Sequence, residues 1–293
     1  MIMNILPVNT AQSSWYQLSS SNRTIIGTKV LEFVQDRWIE IKLISHDDKQ
    51  RVYEYTLLDQ NMDGSALIHE WAADMEWFQS PVQIITDLEG KFIGINNFNS
   101  IANCWQQGFR SKIAKKYRQQ DGIDVMLSET DKLLQDPKRF LQSFMGYSHY
   151  RCFFQPFYRE WQANESSSLI LKGFFGTIDL PLIIYSFTEQ HGNTVTITNE
   201  AEVDEERFER PVLVRMLKDL TNTYNLKVDL QTEMEEIYKF ENNILQEADL
   251  FLQLHVPSFY TVVTAHQCRR IEQHELPKER VDKNELSNSV LHV

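Results

Sequence analysis

Residues Asp59 to Glu70 read DQNMDGSALIHE, which is D-x-N-x-D-G, five residues, then E. Letter for letter this is the calcium loop of an EF-hand. Such a loop takes oxygen ligands from positions 1, 3, 5, 7, 9 and 12, with Gly at 6 for the bend. Asp59, Asn61, Asp63 and Glu70 are therefore the candidate metal ligands, with Gly64 at the bend and the backbone of Ser65 completing the set. Calcium is the one cofactor the sequence suggests. Its context argues against it. Ala66 stands where a β-branched apolar residue belongs, no second loop is present, and the preceding VYEYTLL reads as a strand where a helix is required. A hairpin loop between two strands is the expectation, Asp-Gly being a favoured turn pair.

Other reactive groupings are thin. His266 and Cys268 share strand parity, and His255 precedes them on a neighbouring strand, but no CxxC or helical His pair marks a zinc site. There is no GxSxG, no GxxxxGK[ST] and no GxGxxG. Carboxylate runs at Asp204–Glu206 and Glu233–Glu236 read as a helix start and an exposed strand face. No catalytic residue is assigned, and a hydrolase working through acidic residues is the residual enzyme reading.

Three groups of residues could instead bind a partner. Arg110, Lys112, Lys115, Lys116 and Arg118 place five cations on one helix, where they could dock an acidic group. Asp229, Glu233 and Glu235 line the polar side of an alternating strand and suit a basic partner. Phe154, Phe157 and Trp161 belong to SHYRCFFQPFYREW, whose aromatic density fits a core, an interface or the wall of an apolar cavity.

These residues must be carried by a recognisable order of elements. IIGTKVLEFV, RWIEIKLIS and RVYEYTLL read as strands separated by the polar clusters QDR and HDDKQ. VQIITDLEGKFIGI is a hairpin turning at Gly90. Ile101, Trp105, Phe109, Ile113 and Tyr117 then recur every four positions, the stripe of a helix buried on one face. A second helix is expected to start at Ser128, and a third at Asp136 with Pro137 in its first turn. The second half repeats the logic: two strands flanking QHGN, a helix from Pro211, the alternating KVDLQTEMEEIYKF, and a final hairpin.

The resulting expectation is α+β: antiparallel β-sheets with packed helices in two similarly ordered lobes. The boundaries are an N-terminal segment 1–23, a first lobe 24–146, a second lobe 147–271 and a mobile polar tail 272–293. The formal charge of −12 repels a phosphate backbone, so no nucleic-acid partner is expected. Three scattered cysteines fit free thiols in a reducing compartment. No run reaches the roughly 18 apolar residues of a spanning helix, so the expected location is cytoplasmic with no membrane partner. Taken together, the expected role is a non-enzymatic soluble binding protein acting through protein–protein contacts, as adaptor, chaperone-like factor or immunity-type inhibitor. A carrier of an apolar small ligand in a sheet-lined cavity is the alternative, and calcium binding through 59–70 a further one.

Overall fold

The computed structural model describes residues 3–6, 13–63, 67–146, 148–175, 178–221, 229–257 and 259–277. In chain order come β1 (Met3–Asn4), β2 (Ser13–Ile26), β3 (Lys29–His46), β4 (Gln50–Asp63), helix α1 (Leu67–Gln79), β5 (Val82–Asp87) and β6 (Phe92–Ile95). Helices α2 (Phe98–Cys104) and α3 (Arg110–Lys116) are joined by a wide turn at Trp105–Phe109, and α4 (Ile123–Leu133) and α5 (Pro137–Phe144) follow. The rest is β7 (Glu160–Trp161), β8 (Asn164–Phe175), β9 (Ile178–His191), β10 (Thr194–Val203), α6 (Arg210–Thr221), β11 (Gln231–Glu241), β12 (Ile244–Val256) and β13 (Tyr260–Ile271).

Eleven strands form one sheet in the order β6-β5-β4-β3-β2-β13-β12-β11-β10-β9-β8, and β1 pairs with β7 separately. Every pairing is antiparallel, and the ladder between β2 and β13 carries the sheet across both halves of the chain. With 52% strand and 27% helix, the architecture is broadly α+β but dominated by its sheet.

Several boundaries differ from the sequence reading for identifiable reasons. The cluster QDR is no turn: Gln35 and Arg37 lie in the middle of β3, only 2% and 6% exposed, because they find polar partners inside. The actual turn is at Gly27, whose φ of 59° is the left-handed conformation glycine tolerates, so IIGTKVLEFV is split between two strands. Ser13 to Arg23, expected in an N-terminal segment, belong to β2 in the middle of the sheet. Ser128 sits inside α4, which begins at Ile123 with Asp124 near its positive end and buries Leu127 and Thr130. Asp136 does cap α5, accepting from the Lys138 and Arg139 amides. After β4 comes helix α1 and not a strand, so 59–70 is no hairpin. Of the expected tail, 278–293 lies outside the described residues.

Alternation along the strands gives the sheet two unlike faces. One, the inner face, packs on the helices and on residues 149–161. Its apolar side chains fall into two clusters. The larger gathers Tyr16, Leu18, Ile39, Tyr55, Ile197, Tyr238 and Ala248 under the helical stripe Ile101, Trp105, Phe109, Ile113 and Tyr117. The smaller joins Leu180, Leu182, Met234, Leu252 and Leu254 to Leu213 and Leu217 of α6.

Candidate functional site

Between the two clusters a row of polar side chains crosses the buried face. Glu165, Ser186, Asn199, Glu236, Leu250, His266, Ser20 and Gln35 stand directly opposite one another on eight successive strands, from β8 to β3. Only Leu250 is apolar. One rung to one side lie Ile197, Tyr238, Ala248, Cys268 and Leu18 of the larger cluster. One rung to the other lie Ile184, Met234 and Leu252 of the smaller.

The row is held by donors from the segment crossing above it. Arg151 grips Glu236 with Nε and Nη2 at 3.0 and 2.9 Å from Oε1. The same carboxylate accepts from Tyr238 Oη at 3.0 Å and Asn199 Nδ2 at 3.2 Å, and Asn199 Oδ1 accepts from Ser186 at 2.8 Å. At the β3 end, Arg37 donates to Glu76 of α1 at 2.7 Å, to Ser20 Oγ at 3.0 Å and to Gln35. Gln35 in turn reaches Gln60 at 2.8 Å and Glu76 at 3.0 Å. At the β8 end Arg159 pairs with Glu165 at 2.8 Å and lies over the Trp161 ring. Buried Glu236 thus meets a guanidinium, as burial of charge demands, and the half-buried Glu76 and Glu165 each meet one as well.

Two histidines complete the belt. His266 Nδ1 is 2.9 Å from Ser20 Oγ, and the His149 ring stands 6.4 Å from that of His266. Burial, then Arg37 and His266, hold His149 well below its ordinary titration range, so the ring is neutral near pH 7. Ser20 with His266 resembles the start of a nucleophilic triad. Yet both are about 95% buried, and Arg37 already occupies the serine oxygen. The contact builds the sheet interior.

An open space lies instead at the far end of the larger cluster. A cavity of about 90 Å³ separates β2, β3, β4 and β12 from residues 153–158. Seven of its fourteen lining residues are aromatic: Tyr16, Tyr53, Phe153, Phe154, Phe157, Tyr158 and Phe240. Ile41, Leu43, Ile244 and Leu245 add aliphatic wall, with Ser14 and Asn243 as polar points. The rings meet at 4.7 to 5.1 Å between Phe157 and Tyr238 or Phe240, and at 5.0 Å between Tyr16 and Phe153. Burial pushes the Tyr158 and Tyr53 phenols above their ordinary range, so both stay protonated donors.

The residues singled out from sequence are scattered. Asp59, Asn61 and Asp63 lie on β4, paired to β3 at Trp38, Asp36 and Val34, and Glu70 is on α1. Alternate residues of a strand stand about 6.6 Å apart, so these three oxygens are strung out along β4 and do not converge. No group of three metal-ligating side chains gathers among the described residues, and Gly64, Ser65 and Ala66 lie outside them. Phe154, Phe157 and Trp161 are 6%, 2% and 4% exposed, so they are cavity wall and core and cannot anchor an outside partner. Glu233 and Glu235 are exposed on the uncovered face of β11, and Asp229 precedes that strand. Arg110 is held by Asp131 and Lys116 by Asp74, while Lys112, Lys115 and Lys116 line a surface hollow with Arg118.

Sequence reasoning missed Glu236, taken there for a solvent-facing carboxylate. Its parity with Met234 and Tyr238 was the available signal, since residues two apart on a strand share a face. Ser20, Arg37 and Arg151 gave no such sign.

No family model matches this sequence, and no curated protein matches it. Among solved structures, one of lipovitellin, concerned with lipid–protein interactions, aligns over 92% of this chain and 26% of that one, at 9% identity and a TM-score of 0.48. An outer membrane channel from Pseudomonas putida F1 aligns over 92% of this chain and 97% of that one, at 5% identity and a TM-score of 0.17. The chain spans about a quarter of the lipovitellin chain. Both likenesses are too distant to carry fold or function across. No helix among the described residues is long and apolar enough to cross a membrane.

Proposed function

We propose that this protein is a non-enzymatic carrier of a small apolar ligand, held between the inner face of the sheet and residues 153–158. The observation that supports this reading is the aromatic cavity itself. Its accessible volume of about 90 Å³ is space that the surrounding core side chains leave unfilled. Seven aromatic residues with a few polar points around one space is the usual character of a small-molecule site. At about 30 Å³ per water, the space holds a handful of non-hydrogen atoms. A longer ligand would extend past Ser14 and Asn243.

The test is a thermal-shift and calorimetric series with short straight-chain alcohols on the wild type and on Leu43→Trp, which fills the cavity from β3. Saturable binding that raises Tm in the wild type and disappears in a folded Leu43→Trp supports the carrier. Absence of binding across the series, with the purified protein at its sequence mass in native mass spectrometry, rejects it.

Docking of a basic protein, the role expected from sequence, is favoured by a different observation. Glu200 and Glu235 stand directly opposite each other on the uncovered face, a like-charge pairing that weakens a sheet, with Glu202, Glu233 and Asp249 exposed around them. A cationic partner would relieve that repulsion. Polylysine binding that falls with salt and is lost in Glu233→Lys/Glu235→Lys supports this second reading, and equal retention by the variant removes it.

A further inference from the structure

The sheet has one bare edge. Its order begins at β6 and ends at β8, and among the described residues each of these strands pairs on one side only. β6 spans 4 residues, too short to template another strand. β4 outruns β5 beyond Tyr55, but α1 and the turn after it close that stretch. There the Leu57 amide donates to Ser80 Oγ at 2.8 Å, and Gln60 Nε2 donates to the Ala73 carbonyl at 2.9 Å. β8 has neither defence. It runs for 12 residues without a proline.

Two hydrogen bonds show which of its backbone groups are free. The Ala163 carbonyl accepts from the Thr188 amide at 3.2 Å, and Asn164 to Leu171 then stand opposite Phe187 to Leu180 in unbroken register. Along an antiparallel strand the N–H and C=O of one residue point to the same side, and the side alternates from residue to residue. Glu165, Ser167, Leu169 and Leu171 therefore bond β9, while Asn164, Ser166, Ser168 and Ile170 aim theirs at the open edge. Pro181, opposite Ile170, agrees. It has no N–H to give β8, and its carbonyl accepts the Asp204 amide at 3.0 Å on the β10 side. Ser166, Ser168 and Ile170 are exposed, and their outward amides and carbonyls meet no partner among the described residues.

We propose that two copies of this chain pair edge to edge through β8, antiparallel about a two-fold axis at Ser168. The stretch 165–171 is centred on that residue and lies within the regular ladder. Ser168 then meets its own counterpart and Ser166 meets Ile170 of the other copy, so that every outward group between them finds a backbone partner. The inner faces stay on one side, and the half-buried Leu169 gains Ser167 of the other copy as its neighbour. Such a contact uses the same patch twice and closes at two, because β6 is too short to continue the sheet. One strand from each copy is less than a standard interface, so the dimer should dissociate on dilution.

The full chain is followed by sedimentation velocity over a hundredfold concentration range, with amide hydrogen exchange at both ends of it. The expected result is a monomer–dimer equilibrium in which the Ser166, Ser168 and Ile170 amides are protected only at high concentration. Those of Glu165, Ser167 and Leu169 should be protected throughout. Ser168→Pro removes an outward N–H that β9 does not use, so it should keep the ladder and weaken association at least about tenfold. Exchange in the wild type reads the edge even where that variant fails to fold. A monomer at every concentration, assembly beyond two, or a dimer whose three edge amides still exchange overturns the proposal. So does a folded Ser168→Pro that dimerises as tightly as wild type. Protection of the edge amides in the dilute monomer overturns it as well, since the chain would then cover its own edge.

Discussion

Replacing Arg151 by Met removes the guanidinium and keeps much of the side chain's bulk. The carboxylate it leaves behind, Glu236, is 0% exposed, and Arg151 itself is 10% exposed, so solvent cannot take over. Glu236 loses its Nε and Nη2 donors and keeps only Tyr238 and Asn199 from this network. Removing one partner of a buried pair costs about 3–5 kcal/mol, because an uncompensated charge remains. Against a total stability of about 5–15 kcal/mol, that is at least about a fifth of the whole. The double variant Arg151→Met/Glu236→Met exchanges the pair for apolar volume and should recover most of the loss. The coupling energy from urea unfolding of the four proteins should then be at least about 2 kcal/mol. A single-variant cost under about 1 kcal/mol, or additivity within about 0.5 kcal/mol, would refute the reasoning. It would mean that water reaches Glu236.

Acid should destabilise the protein through His149. Its folded titration point lies well below the ordinary 6.5, for reasons of burial first, so between the two the unfolded chain takes a proton that the buried ring refuses. Stability from this group is therefore full above about pH 6.5 and declines as pH falls below it, at up to ~1.4 kcal/mol per pH unit. His149→Phe should flatten that slope in urea titrations between pH 7 and 5, and an unchanged slope assigns it elsewhere. Asp136→Ala strips the α5 cap, whose Oδ1 accepts at 2.9 and 3.2 Å, and should cost about 1 kcal/mol by chemical denaturation. Gly90→Ala places a Cβ 2.8 Å from Tyr158 Cδ2 and 2.9 Å from the Gln155 carbonyl at a φ of +95°, so about 1–3 kcal/mol should be lost. The same variant should alter ligand affinity by shifting Tyr158, and a neutral result on both counts removes Tyr158 from the wall. Millimolar calcium should leave Tm unchanged within about 1 °C, since ligands spread along β4 form no chelate; a larger rise means that they converge.

The readable parts of this sequence were those governed by local periodicity. The stripe from Ile101 to Tyr117 is buried throughout, the hairpin at Gly90 turns there with φ of 95°, and Asp136 caps its helix. Each depends on neighbours within one or two turns of chain. What could not be read depends on partners far away in sequence. Gln35 and Arg37 look like loop residues until Glu76 and Ser20 are placed beside them. Glu236 looks solvated until Arg151, 85 residues away, is found above it. The calcium pattern failed in the opposite sense: its spacing is local, but convergence requires a loop, and β4 continues through Asp63. The cavity was legible only as aromatic density, because whether rings fill a space or surround one is decided by packing.

The polar belt has a consequence for folding that its burial alone does not convey. Inner-face residues of this sheet are largely interchangeable aliphatics, so shifting a strand by two residues would keep apolar side chains inside. Such a slip between β10 and β11 would bring Glu236 opposite Ile197 or Ala201 in place of Asn199. Between β13 and β2 it would part His266 from Ser20. Hydrophobic burial changes little under these shifts, whereas each orphaned buried polar group costs about 1–3 kcal/mol and a charge more. A row of seven polar residues on eight strands therefore discriminates the native register where the aliphatics cannot. Because Arg151 locks on that row and the next turn of chain carries Phe153, Phe154, Phe157 and Tyr158, register and cavity are set together. Loosening the Arg151–Glu236 pair should then degrade ligand binding at the cavity even though neither residue touches it.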